Sequence, residues 1–170
     1  MRQPSKFAKS AKTASRSSAR LPAKDLAQVR AIAATANGLP RSKRKALLFS
    51  GTNAAAAAGA MARQLRRGLY RIDLAAVTSK YIGETEKNLE RAFAEAEAAR
   101  ALLLFDEADA LFGKRTSVKD AHDRFSNLEV EYLLRRIGAY DGLVVLVSTP
   151  KLTLSIALRR RFSVYDFPPS

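Results

Sequence analysis

Apolar positions change their period along this chain, and each change predicts an element. Leu26, Val29, Ile32 and Ala33 recur at the spacing of one helical face, and Asn37-Gly38-Leu39-Pro40 predicts where that helix stops. A basic loop, Arg41 to Lys45, leads into Ala46-Leu47-Leu48-Phe49, a short continuous apolar run of the buried-strand kind. Residues 54–66 read as helix on propensity and residues 69–74 as a second strand. Residues 85–100 place Leu89, Phe93 and Ala96 on one face of a helix with charges opposite. A strand at 102–105, a helix at 123–137, a strand at 143–147 and a last strand at 163–167 complete the series, without internal repeat. Strands that are apolar on both faces and alternate with helices predict a parallel sheet covered on both sides, a three-layer α/β fold.

Composition adjusts that picture mainly at the N-terminus. With 170 residues, 47% of them hydrophobic, the chain is about one domain long and can bury a core. Its net charge of +14 is uneven: residues 1–45 hold 12 Lys and Arg against one acid, Asp25, which leaves +3 for the rest. Residues 1–21 are mostly Lys, Arg, Ser and Ala and bury too little surface to offset ordering entropy, so a disordered basic arm is expected. Residues 22–45 then form the helix and linker, and 46–170 the core. The arm is a solubilising tail first. A non-specific contact with nucleic acid or an anionic surface is a second use, but Phe7 is the single aromatic residue there for base stacking. Zero cysteines exclude disulfides and thiolate zinc sites. The single histidine, His122, builds no metal cluster alone and reads as structural or solvated. The longest aliphatic run, 143–147, is too short to cross a bilayer, so no membrane span is expected, and the cytoplasm is the expected compartment.

The chemistry-bearing signal is Leu102-Leu103-Leu104-Phe105-Asp106-Glu107-Ala108-Asp109. Four apolar residues ending in Asp-Glu put two carboxylates at the C-terminal edge of a buried strand, where open α/β sheets bind their ligands. In nucleotide hydrolases such a pair lets Asp106 organise Mg²⁺ and Glu107 polarise the attacking water. Around it stand Leu69-Tyr70-Arg71-Ile72-Asp73-Leu74, Ser79-Lys80-Tyr81-Ile82-Gly83-Glu84-Thr85-Glu86-Lys87-Asn88-Leu89, Ala110-Leu111-Phe112-Gly113-Lys114-Arg115, His122-Asp123-Arg124 and Glu129-Val130-Glu131-Tyr132-Leu133-Leu134. In that order and at those intervals, residues 46–168 resemble the core of AAA-family ATPases, especially bacterial proteins of the cell-division and remodelling type.

The resemblance implies a P-loop NTPase fold of the AAA+ type, ATP and Mg²⁺ as cofactors, a ring oligomer with itself or an intact relative, and remodelling of a protein substrate. It makes Asp106 and Glu107 the Walker B pair, with Asp106 serving the metal through the nucleotide. Lys80, Tyr81, Ile82 and Gly83 become the central-pore loop that grips polypeptide, and Arg159, Arg160 and Arg161 fall where the family places its arginine fingers.

Three departures set this sequence apart. A P-loop reads G-x-x-x-x-G-K-[ST], with glycines that let N–H groups curl around phosphate, a lysine charge and a hydroxyl for Mg²⁺. Here Gly51-Thr52-Asn53 is followed by Ala54 to Ala58; counted from Gly51, the lysine and threonine positions are Ala57 and Ala58, and counted from the far end the segment is about three residues short. Alanine extends a helix instead of forming a phosphate nest, with Thr52 or Asn53 as its cap. Thr149 stands where the family carries a water-orienting Asn. The helical lid that follows the last strand in the family has no counterpart before Ser170, which reads as a fragment, a truncation or a decayed copy. ATP turnover is therefore expected to be impaired, with an inactive subunit acting by protein contacts as the alternative. A DEAD-box-like RNA-binding protein, spelled by Asp106-Glu107-Ala108-Asp109, is a more distant alternative.

Overall fold

The computed structural model describes residues 8–9, 20–40, 43, 46–78, 81, 83–113 and 121–169, with backbone alone for 8–9 and 121–127. The apolar runs become strands β2 (Ala46–Ser50), β3 (Leu69–Asp73), β4 (Leu102–Asp106), β5 (Val144–Ser148) and β6 (Phe162–Asp166). They form a five-stranded parallel sheet in the spatial order β3-β4-β5-β2-β6, with helices on both faces. This is the α/β arrangement that the alternation of strands and helices predicts. A two-residue strand β1 (Ala8–Lys9) adds to β3 in antiparallel register, Ala8 opposite Ile72. Those two residues lie within the arm expected to be disordered; the rest of residues 1–19 lies outside the described residues.

Alternation along each strand sends its side chains into two separate cores. Leu48, Ile72, Leu103, Phe105, Val144 and Leu146 face one side. There they meet Leu89 and Phe93 of α4 (Glu84–Ala99) and Leu133 and Leu134 of α6 (Ala121–Ala139). Leu47, Phe49, Leu102, Leu104, Val145 and Val147 face the other, against Val29 and Ile32 of α1 (Ala23–Gly38) and Ala57 and Met61 of α2 (Ala54–Gln64). Small alanines let α2 lie close to the sheet, which is why this run has 0% exposure at Ala54, Ala57 and Ala58.

Short helices absent from the periodic reading complete the fold: α3 (Leu74–Val77), α5 (Asp109–Phe112) and α7 (Ile156–Arg159). Each is four residues long, less than the window over which helical periodicity shows. α1 ends at Gly38 with its C-cap at Leu39, inside the predicted stop signal Asn37 to Pro40.

β2 and β5 are hydrogen-bonded neighbours, Ser50 level with Ser148. The chain leaves β2 through α2 onto one face and leaves β5 towards α7, whose Leu158 packs in the opposite core. A crevice therefore opens beyond the carboxyl ends of these two strands, at the switch point where open α/β sheets hold ligands.

Candidate functional site

Three connections converge on that crevice. Gly51 and Thr52 follow β2, Glu107 follows Asp106 at the end of β4, and Thr149 and Pro150 follow β5. With Ala55 they line a cavity of about 310 Å³. Its titratable lining groups are Asp106, Glu107 and Asp109, and none of its described lining residues is basic.

Asp106 ends a strand whose five residues are all buried, and its side chain is 12% exposed. Its Oδ1 accepts the backbone N–H of Glu107 at 2.9 Å, and its Oδ2 is paired with Arg71 of β3. Glu107 turns the chain out of the sheet with φ 57°, a left-handed conformation that bulky residues rarely adopt. The Asp106 carboxylate on one side of it and the Ala108 N–H donated to the Val147 carbonyl at 2.9 Å on the other hold that turn. Residues in such sparsely populated conformations cluster at functional sites.

Thr149 lies beside this pair, but its polar groups are committed. Its N–H reaches Asp109 Oδ1 at 2.9 Å and its hydroxyl donates to Asp109 Oδ2 at 2.5 Å. Asp109 therefore belongs to the site, although in the sequence it reads only as part of the acidic run.

The turn between β2 and α2 has three residues, Gly51 to Asn53. Gly51 has φ 103°, and a Cβ there would come within 2.2 Å of the Phe167 carbonyl oxygen, so only glycine fits. The chain after β6 lies directly against this turn. Asn53 N–H donates to the Phe167 carbonyl at 3.2 Å, and Phe167 N–H to the Ser50 carbonyl at 2.7 Å. Ser50 Oγ donates to Asp166 Oδ1 at 3.0 Å, while the Phe167 ring packs 4.8 Å from that of Phe49.

Asn53 occupies the N-cap position of α2, yet its side chain makes no capping bond to the helix. Its Nδ2 instead donates to the Pro168 carbonyl and to Asp25 of α1, which is 3% exposed. The expectation that Thr52 or Asn53 caps the helix through its side chain is thus corrected: the junction with α1 and the C-terminal segment takes that side chain. Ala57 and Ala58 lie in the body of α2 within the core, away from the crevice; of the alanines in the run, Ala55 is the one that reaches it.

The remaining candidate residues lie elsewhere. Arg159 lines a second cavity of about 250 Å³ that shares Ser148, Thr149 and Pro150 with the crevice. Arg160 is exposed at the C-cap of α7. Tyr81 is 72% exposed, and Gly83, with φ 80°, starts α4. Lys80 and Ile82 lie outside the described residues, as does the side chain of His122. No helix among the described residues is long and apolar enough to cross a membrane.

Comparison with known proteins agrees with this geometry. The model for the ATPase family associated with various cellular activities (AAA) matches residues 49–168. The chain is 32% identical over 127 residues to Fidgetin-like protein 1 of Drosophila melanogaster, covering 70% of this chain and 24% of that protein. It is 32% identical over 134 residues to Spastin of Danio rerio, with 74% of this chain and 23% of that protein covered, and Spastin of Bos taurus matches alike at 22% of its length. The chain thus spans about a quarter of the length of these curated relatives.

Proposed function

Because this chain belongs to the AAA family of ATPases, we propose that it is an AAA core whose ATP binding and hydrolysis are impaired and which acts mainly through protein contacts. Nucleotide and Mg²⁺ use is general in the family. The residues present here do not fit a magnesium-bound triphosphate.

The observation that carries this reading is the three-residue turn from Gly51 to Asn53, engaged by the chain's own Phe167 and Pro168. A phosphate loop needs four residues between its glycines and a lysine after them. This turn is shorter, the helix it enters begins with Ala54-Ala55-Ala56, and one of its N–H donors serves the Phe167 carbonyl. The acids lining the crevice oppose a polyanion further. Loss of one charge-assisted contact costs roughly 1.5–3 kcal/mol, so the missing lysine alone weakens binding about ten- to hundred-fold. Thr149, with its hydroxyl given to Asp109, is a poor substitute for an amide that orients water.

Protein contacts then remain the more durable part of the family's behaviour. Arg159, Arg160 and exposed Tyr81 are the residues proposed to face a neighbouring subunit or a protein substrate. The cytoplasm is kept as the proposed compartment by default, and a chain without cysteines is compatible with its reducing conditions. The test is phosphate release by the purified chain and by Glu107→Gln. Both are expected to match the buffer blank. Release that depends on Mg²⁺ and disappears in Glu107→Gln would overturn the proposal.

A further inference from the structure

We propose that Arg71 is the resident counter-ion of the acidic motif, holding Asp106 in place of a divalent cation and making the fold of the motif independent of metal. The inference extends the proposed function to the metal half of the site and rests on that reading only in leaving Asp106 without a nucleotide-borne Mg²⁺.

Strand parity brings the two residues together. β3 and β4 are parallel, with Arg71 level with Leu104 and Asp73 level with Asp106. Ile72 and Phe105 both point into the α4 and α6 core, so their neighbours Arg71 and Asp106 both point to the opposite face, the one that carries α2. They are diagonal neighbours there, within reach of a long side chain. The guanidinium pairs with Oδ2, and the Glu107 N–H occupies Oδ1 at 2.9 Å. Both carboxylate oxygens are thus satisfied within the chain, at a position where the Asp106 side chain is 12% exposed and a lone charge is costly.

Arg71 itself is 46% exposed, so it brings its charge to Asp106 while keeping part of its own hydration. The same carboxylate anchors the left-handed turn at Glu107.

The experiment is thermal unfolding of the full chain, its Arg71→Ser and its Arg71→Lys variants, without nucleotide. Each is scanned in millimolar MgCl₂, in MnCl₂ and in NaCl of matched ionic strength. The wild type is expected to unfold at one temperature in all three salts. Arg71→Ser should unfold several degrees lower in NaCl, about 4 °C or more, and regain at least half of that loss in either divalent salt. Arg71→Lys, which keeps a point charge, should recover most of the wild-type temperature and its indifference to metal. A wild type stabilised by Mg²⁺ or Mn²⁺ beyond the NaCl control overturns the inference, as does Arg71→Ser unfolding at the wild-type temperature or without a metal response. Should Arg71→Ser not fold, the wild type and Arg71→Lys decide: a divalent response in the wild type overturns the inference, and indifference in both supports it. Because nucleotide is absent, the result stands apart from whether ATP binds.

Discussion

Gly51 and Asn53 show how single residues define this site. A methyl group at Gly51 would need both a positive φ and a carbonyl only 2.2 Å away to give way. Gly51→Ala is therefore expected to destabilise the fold by about 2 kcal/mol or more, read as a lower denaturation midpoint at unchanged slope. Asn53 satisfies Asp25, a carboxylate with 3% exposure. Asn53→Ala leaves that charge without its amide partner and should cost about 1–3 kcal/mol; a midpoint within error of wild type would show that Asp25 finds water instead. Neither partnership was legible in the sequence, since Asp25 and Asn53 belong to different periodic segments and no local pattern pairs them. The Asp109 contact to Thr149 and the Arg71 contact to Asp106 were hidden for the same reason. The available hint was Arg71 itself, a charge inside the otherwise strand-like Leu69-Tyr70-Arg71-Ile72-Asp73. Asp106 and Glu107 were legible because an apolar run ending in two acids can only be a buried strand reaching the edge of its sheet.

Among the elements, α2 separates what counting along a sequence can and cannot do. Counted from Gly51, the lysine position falls at Ala57; in the fold that residue is fully buried, in the same apolar core as Phe49 and Val145. Ala57→Lys is accordingly expected not to restore phosphate binding but to place an unpaired charge in the interior, costing roughly 4 kcal/mol or more. Normal stability of that variant would mean that the register of α2 is wrong. Helices of useful length were legible from their periodicity, whereas α3, α5 and α7 were not.

The α6 end supplies a pH-dependent prediction. Tyr140 follows α6 and donates its hydroxyl to the Ala101 carbonyl at 2.6 Å, which ties the helix to the start of β4. Burial, with Glu97 nearby, pushes its pKa up to about 12, against 10.0 for an ordinary tyrosine. The folded state then holds a proton that the unfolded chain releases at lower pH. This contribution is complete below pH 10 and is lost as pH rises through about 12. Urea midpoints should fall between pH 9.5 and 11.5, and Tyr140→Phe should flatten that fall while lowering stability at neutral pH by about 1 kcal/mol. An equally steep fall in Tyr140→Phe would assign the effect to other groups, Tyr70 among them, whose pKa burial and Glu95 also raise.

On the scale of the whole molecule, the sheet order, the two apolar cores and the crevice at the switch point form a framework of the AAA type. The framework was legible from alternating apolar runs and the ordered motifs, because both are written in local sequence. The engagement of the β2–α2 turn by Phe167 and Pro168 was not, since it joins residues more than a hundred positions apart. That engagement is the ground for proposing that the fold is kept while nucleotide binding is weak. The measurement that addresses it most directly is calorimetric titration of ATP with Mg²⁺ into the purified chain. No saturable binding in the micromolar range is expected; a micromolar dissociation constant would show instead that the three-residue turn opens to accept phosphate.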